Sequence, residues 1–267
     1  MTSNRLPDYN VHGAGDITVF LLHGAFGAKD YWQNQVISLV ENGYRVVAWD
    51  APGYGISPMP KDFSIESAAQ ACANLIDAVG GKTNVIMGHS MGGMIAQRAF
   101  SYRPDTGHGL ILAATSAAVG GKGGDWQKAF VSERVAPLDA GKTIPEYAPQ
   151  MLKRMMKPDA SGPDIDLMIQ VVSKMREETF RAAIEAITHF DGRDIISKMN
   201  IPVFCIAGEF DLSAAPPKVM EKMASRIPEA EFVCMQGVGH FGWAEDTASF
   251  NEHMIDFLER RIRREVK

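Results

Sequence analysis

Val85-Ile86-Met87-Gly88-His89-Ser90-Met91-Gly92-Gly93 decides how the rest of this chain reads. A short apolar run enters the segment and a helical pattern leaves it, with a serine held between two glycines as G-x-S-x-G. A strand that turns into a helix within three residues forces the serine into strained backbone angles and crowds its neighbours. Gly88 and Gly92 supply positions without side chains where that crowding falls. The Ser90 hydroxyl is thereby lifted clear of the sheet. The Met91 amide heads the helix, where unpaired N–H groups face outward and stabilise negative charge. Ser90 is the candidate nucleophile.

Outward from this turn, apolar runs alternate with helical spacings. Ile17 to Leu22, Arg45 to Trp49, Leu110 to Ala113, Val203 to Ala207 and Phe232 to Met235 are nearly continuous in apolar residues. Runs of that kind suit strands buried on both faces of a parallel sheet. Ile65, Ala68, Ala69, Cys72, Leu75, Ile76 and Val79 follow a helical stripe behind Ser64 as N-cap, and Phe250, Met254, Phe257, Leu258 and Ile262 follow another. The alternation predicts a doubly wound, mostly parallel α/β sheet. Residues 118–198 break it with helical patterns alone, carrying Met151, Met155, Met156, Met168 and Met175 behind Gly120, Gly121, Gly123 and Gly124. We read residues 1–117 and 199–267 as the two parts of the α/β core. Residues 118–198 read as a helical cap inserted over the carboxyl edge of the sheet. Most of its methionines are expected to fill its core, with Met151 and Met155 as candidates for facing substrate.

A serine hydroxyl is a weak nucleophile until a base takes its proton and a third group orients that base. The strand Val203 to Ala207 runs into Gly208-Glu209-Phe210-Asp211, and the next ends in Gly237-Val238-Gly239-His240. Both polar residues fall just past carboxyl ends of strands, the edge where open α/β sheets place their sites. Asp211 is the expected acid, with Glu209 as its rival, and His240 the expected base. His12, His108, His189 and His253 read as surface or packing residues; His89 reads as structural or pocket-lining. Leu21-Leu22-His23-Gly24-Ala25-Phe26-Gly27 follows the first strong strand, where a tight turn aims a backbone amide at the same place.

These pieces, with Asp50-Ala51-Pro52-Gly53-Tyr54-Gly55-Ile56-Ser57, resemble the α/β-hydrolase superfamily over nearly the whole chain. The resemblance implies a triad of Ser90, Asp211 and His240 and an oxyanion hole made by the amides of Ala25 and Met91. Phe26, His89, Met151, Met155 and Phe241 are the candidate substrate contacts. Within the superfamily the chain is similar to 3-oxoadipate enol-lactonases, small carboxylesterases and meta-cleavage-product hydrolases. That implies cleavage of a small hydrophobic or aromatic ester or lactone, in the setting of bacterial aromatic catabolism. The same triad also serves carbon–carbon bond hydrolases, low-turnover receptors and cofactor-free lyases or oxygenases. His89 and Phe241 stand where meta-cleavage hydrolases carry asparagine and tryptophan, which counts against that branch. Members of the superfamily begin with a strand pair before the His-Gly strand. Here 16 residues precede Ile17, so one strand of the pair is expected to be absent or rudimentary.

Composition narrows the alternatives. Of 267 residues, 46% are hydrophobic and 22% charged, the balance of a globular chain, and the formal net charge of −5 favours neither nucleic acid nor an anionic membrane. Arg260, Arg261, Arg263, Arg264 and Lys267 read as cations closing a helix, where they complement its dipole. Cys72, Cys205 and Cys234 read as free thiols. Gly81-Lys82-Thr83 and Gly141-Lys142-Thr143 lack the upstream glycine of a phosphate loop. No ligand spacing for a metal and no cofactor motif appears. With no apolar signal core and no run of roughly 18 apolar residues, the expected location is cytoplasmic. The expected partner is a small-molecule ester or lactone.

Overall fold

The computed structural model describes residues 5–119 and 124–264. Seven strands form one sheet in the order β1-β3-β2-β4-β5-β6-β7. They are β1 (Tyr9–His12), β2 (Ile17–Leu22), β3 (Arg45–Trp49), β4 (Thr83–His89), β5 (Gly109–Ala113), β6 (Val203–Gly208) and β7 (Ala230–Met235). All neighbours run parallel except β1, which pairs antiparallel with β3 from Tyr9 opposite Trp49 to His12 opposite Val46. Every residue of β2, β4, β5 and β6 is buried. Because successive side chains point to opposite faces, full burial means that both faces are covered. Each fully buried Val, Leu or Ile in these strands contributes about 1.5–3 kcal/mol.

The helices that flank the core include α1 (Gln33–Glu41), α2 (Ile65–Val79) and α3 (Met91–Tyr102). α2 follows the apolar stripe read from the sequence and begins at the expected cap. Ser64 and Ser67 exchange side-chain to backbone hydrogen bonds of 3.0 and 2.9 Å, satisfying two donors that the helix start would orphan.

Between β5 and β6 the described residues form α4 (Gly124–Asp139), α5 (Ile144–Lys153), α6 (Pro163–Val172), α7 (Glu177–His189) and α8 (Arg193–Ile196). The ends of this segment meet. Ala118 and Asp191 form an isolated antiparallel bridge, and the Gly192 amide donates to the Ala117 carbonyl at 2.7 Å. Gly120, Gly121 and Gly123 of the expected joint lie outside the described residues. After β6 come α9 (Pro217–Ala224), α10 (Gly242–Glu245) and α11 (Thr247–Phe257), which continues as a π-helical turn over Leu258–Arg263.

One short strand, β1, precedes β2 among the described residues, as the short lead before Ile17 suggests; its side chains are largely exposed, so no apolar run announces it. Two readings need correction. β7 is half-buried rather than enclosed on both faces, because it is the edge of the sheet. The terminal arginines also do more than face a helix dipole. Arg260 and Arg261 reach Glu231 on β7 at 2.8 and 2.7 Å, and Arg263 lies over the Tyr44 ring, so they hold the last helix against the body. Lys267 lies outside the described residues.

Candidate active site

Ser90 is the residue that must leave β4 and start α3, and it does so at φ 54°, ψ −117°, a conformation costly for any residue with a Cβ. The turn is held on both sides. The Ser90 amide donates to the Ala113 carbonyl at 2.9 Å, and the Ser90 carbonyl accepts from Thr115 Oγ1 at 2.7 Å. A Cβ on Gly92 would collide with the Leu22 carbonyl oxygen, so only glycine lets α3 start this close to β2. The Met91 N–H is one of the first-turn donors that a helix leaves without an intrahelical partner.

The turn after β2 faces the serine. A Cβ built on Gly24 would lie 3.2 Å from Ser90 Cβ. His23 sets the direction of the next peptide. Its Nε2 accepts the Ala51 amide at 3.0 Å, so the proton sits on Nδ1, which donates to the Gly24 carbonyl at 2.8 Å. Across a trans peptide, C=O and N–H point in opposite directions; fixing the Gly24 oxygen therefore fixes the Ala25 N–H. Complete burial pushes the His23 pKa down against the pull of Asp50, keeping the neutral tautomer that this arrangement needs.

Asp211 follows β6 and is fully buried. Its Oδ2 lies 2.6 Å from His240 Nδ1, while the amides of Ala214 and Ala215 donate to its two oxygens at 3.0 and 3.1 Å. Burial alone would raise its pKa; the adjacent His240 and the two amides outweigh that and hold the carboxyl below its ordinary value. Glu209 is exposed and accepts the Gly237 amide at 2.8 Å instead. Asp211, not Glu209, is the acid against the histidine.

His240 follows β7, and its backbone is pinned twice. Its N–H donates to the Met155 carbonyl at 2.7 Å, and its carbonyl accepts from His89 Nε2 at 2.9 Å. His89 is buried with Nδ1 unpartnered among the described residues, and burial together with the neighbouring His240 lowers its pKa to about 3. A third clamp is Glu245, which sequence reasoning missed. Its carboxylate accepts the amides of Lys157 at 2.8 Å, Gly239 at 3.0 Å and Phe241 at 3.1 Å. The signal available was an acid five residues after the candidate base at the end of a short helix, which is faint by itself.

Ser90 and His240 open into one cavity of about 540 Å³ between the sheet edge and the helical layer. Gly24, Ala25 and all five candidate substrate contacts, Phe26, His89, Met151, Met155 and Phe241, line it. Met156 and Met168 are buried in the helical layer, as filling methionines should be. Met175 lines a separate surface pocket. Trp126, Phe130 and Arg134 of α4 also line the main cavity and were not foreseen, because α4 carries no apolar stripe in its sequence. Among the described residues no cluster of three or more His, Cys, Asp or Glu side chains is arranged to hold a metal ion. No helix there is long and apolar enough to cross a membrane.

Comparison with known proteins agrees with this architecture. The chain is similar to a pimeloyl-[acyl-carrier protein] methyl ester esterase of Neisseria meningitidis serogroup B, with 25% identity over 251 residues spanning 92% of this chain and 94% of the relative. Its structure superposes on a thermophilic esterase from Thermogutta terrifontis with TM-score 0.82 and 26% identity, covering 95% and 93% of the two chains. The enol-lactonase from Burkholderia xenovorans LB400 shares the fold at TM-score 0.84 and 23% identity, covering 95% and 96%. The profile of the alpha/beta hydrolase family matches residues 19–252, and the chain belongs to that family.

Proposed function

We propose that this hydrolase cleaves a small carboxylic ester or lactone through an acyl-enzyme on Ser90. The observation that carries the reading is the buried 2.6 Å contact between Asp211 and His240 at the cavity into which the strained Ser90 also opens. Ser90 Oγ attacks the carbonyl carbon while His240 Nε2 takes its proton. Asp211 holds the proton on Nδ1 and stabilises the imidazolium that forms. The oxyanion is received by the amides of Ala25 and Met91, and such preorganised donors are worth about 3–4 kcal/mol each in barrier height. His240 then protonates the leaving alkoxide. A water molecule, deprotonated by the same nitrogen, releases the acid. The helices of residues 118–198 act as a cap, and the cavity volume and the apolar side chains of Phe26, Phe130, Met151 and Met155 suit an acyl group longer than acetyl. The esterase relative supports the bond type.

A fluorophosphonate that reacts with activated serines is expected to label the protein once, at Ser90. Ser90→Ala is expected to lose the label and at least about 10⁴-fold in kcat on a p-nitrophenyl ester. Full hydrolysis by Ser90→Ala removes the proposal.

A further inference from the structure

One charge in the cavity has no task in the hydrolysis of a simple ester. Arg134, on α4, lines the cavity with a side chain that is 18% exposed. Its guanidinium carbon sits 3.5 Å from the centre of the Phe130 ring, and Nη1 donates to the Phe130 carbonyl at 3.2 Å. The nearest acid, Glu133, also lines the cavity; its carboxylate stays 3.8 Å away and is 82% exposed. No carboxylate among the described residues hydrogen-bonds to Arg134. Arg98, equally buried, also stays 4.0 Å from its nearest acid but does not line this cavity, and four more exposed arginines behave differently. Arg181, Arg260, Arg261 and Arg263 each hold an acid at 2.7–2.9 Å while more exposed than Arg134. A guanidinium has five donors in a planar fork that matches a carboxylate. Here one of them serves a backbone carbonyl, in a wall where Trp126, Ala129, Phe130 and Val119 are joined by Glu133 and by the hydroxyls of Ser116 and Ser213. Burial presses its pKa down, which is the mark of a cation short of a counter-charge.

We propose that Arg134 receives a carboxylate carried by the substrate at the end of its acyl chain remote from the scissile carbonyl. The substrate class is then half-esters of dicarboxylic acids. The proposal rests on the ester-hydrolase reading, which supplies the position of the carbonyl at Ser90. The apolar wall between accepts methylene groups, and the low polarity around the guanidinium strengthens a charged hydrogen bond relative to water. Glu133 opposes an incoming carboxylate only weakly, because it is solvated and screened.

The test compares mono-p-nitrophenyl adipate with a p-nitrophenyl ester of matched length ending in a methyl group. Wild type is expected to prefer the acid in kcat/KM by about tenfold or more, with the difference carried by KM. Arg134→Met, which keeps packing against Phe130, is expected to remove the preference, and Arg134→Lys to retain part of it. Equal kcat/KM values in wild type, or a preference that survives in Arg134→Met, overturn the proposal while leaving ester hydrolysis intact. Calorimetric titration of adipate into Ser90→Ala and into Ser90→Ala/Arg134→Met tests the same point without turnover, so loss of the esterase reading is told apart from loss of this one. Binding at least about tenfold weaker in the double variant is expected; equal binding refutes the assignment. If Arg134→Met melts early, Arg134→Lys in the same titration decides, with adipate binding as in the parent or weaker by less than the full loss supporting it, and no adipate binding to Ser90→Ala at all refuting it.

Discussion

Two acids stand two residues apart after β6, and their surroundings separate their roles. Asp211 is enclosed, with His240 and two amides spending its oxygens, whereas Glu209 is in water and ties down the turn at Gly237. Asp211→Asn places an amide where a charge orients the imidazole, and the wrong tautomer becomes accessible. A loss of about 10³–10⁴ in kcat is expected. Glu209→Gln should cost less than about tenfold. Steady-state kinetics of the two variants decides, and the reverse order would move the orienting role to Glu209. From the sequence, both residues fell at the correct strand end. The sequence reading favoured Asp211, and the backbone path gives the reason: the turn Gly208–Asp211 leaves Asp211 buried against His240 and Glu209 exposed at Gly237. Ser90, His240 and the His23-Gly24 turn were legible because their positions demand particular neighbours: glycines where chains cross, and a strand end beneath each.

At the scale of elements, buried strands declare themselves and exposed or irregular ones do not. β2 and β3 match their apolar runs residue for residue, since burial on both faces favours apolar side chains at all but Thr18 and the half-buried Arg45. β1 consists of Tyr-Asn-Val-His and is set by its pairing with β3, a tertiary decision. α4 hid its inward residues because an arginine and a tryptophan share the cavity-facing side. Glu245 ties the turn after α5, remote in sequence, to the loop after β7 and the start of its own helix α10. Glu245→Gln keeps one acceptor and turns a donor toward the amides that used the other. Leaving a buried N–H unmatched costs about 1–3 kcal/mol. A lower melting temperature is expected, together with a fall in kcat larger than any change in KM, because the substrate wall stays while the His240 loop loosens. Calorimetry beside kinetics checks this; an unchanged kcat would make the clamp purely structural.

For the whole molecule, two imidazoles are kept neutral inside. His23 and His89 both have pKa values lowered by burial, His89 to about 3, while in the unfolded chain they protonate near 6.5. Below about pH 6.5 the unfolded state therefore binds protons that the folded state refuses, so stability is fully present above that pH and declines as pH falls toward 3. Asp211 adds a further loss below the ordinary aspartate range, where the unfolded carboxyl takes a proton that the native one refuses. The melting temperature is expected to drop between pH 7.5 and 5, and less so in His89→Gln, with scanning calorimetry as the measurement; a flat profile in the wild type contradicts the assignment. The bond from the His240 amide to the Met155 carbonyl has a consequence for protein engineering. The region from α4 to α8 resembles a detachable module, since its ends meet at Ala118 and Asp191 and a short linker could close the gap. Excising it would nonetheless remove an acceptor for the His240 backbone and one of the three amides gathered by Glu245. A miniaturised version of this enzyme should thus keep the Met155–Lys157 turn as part of its minimal scaffold, and shorten the chain elsewhere.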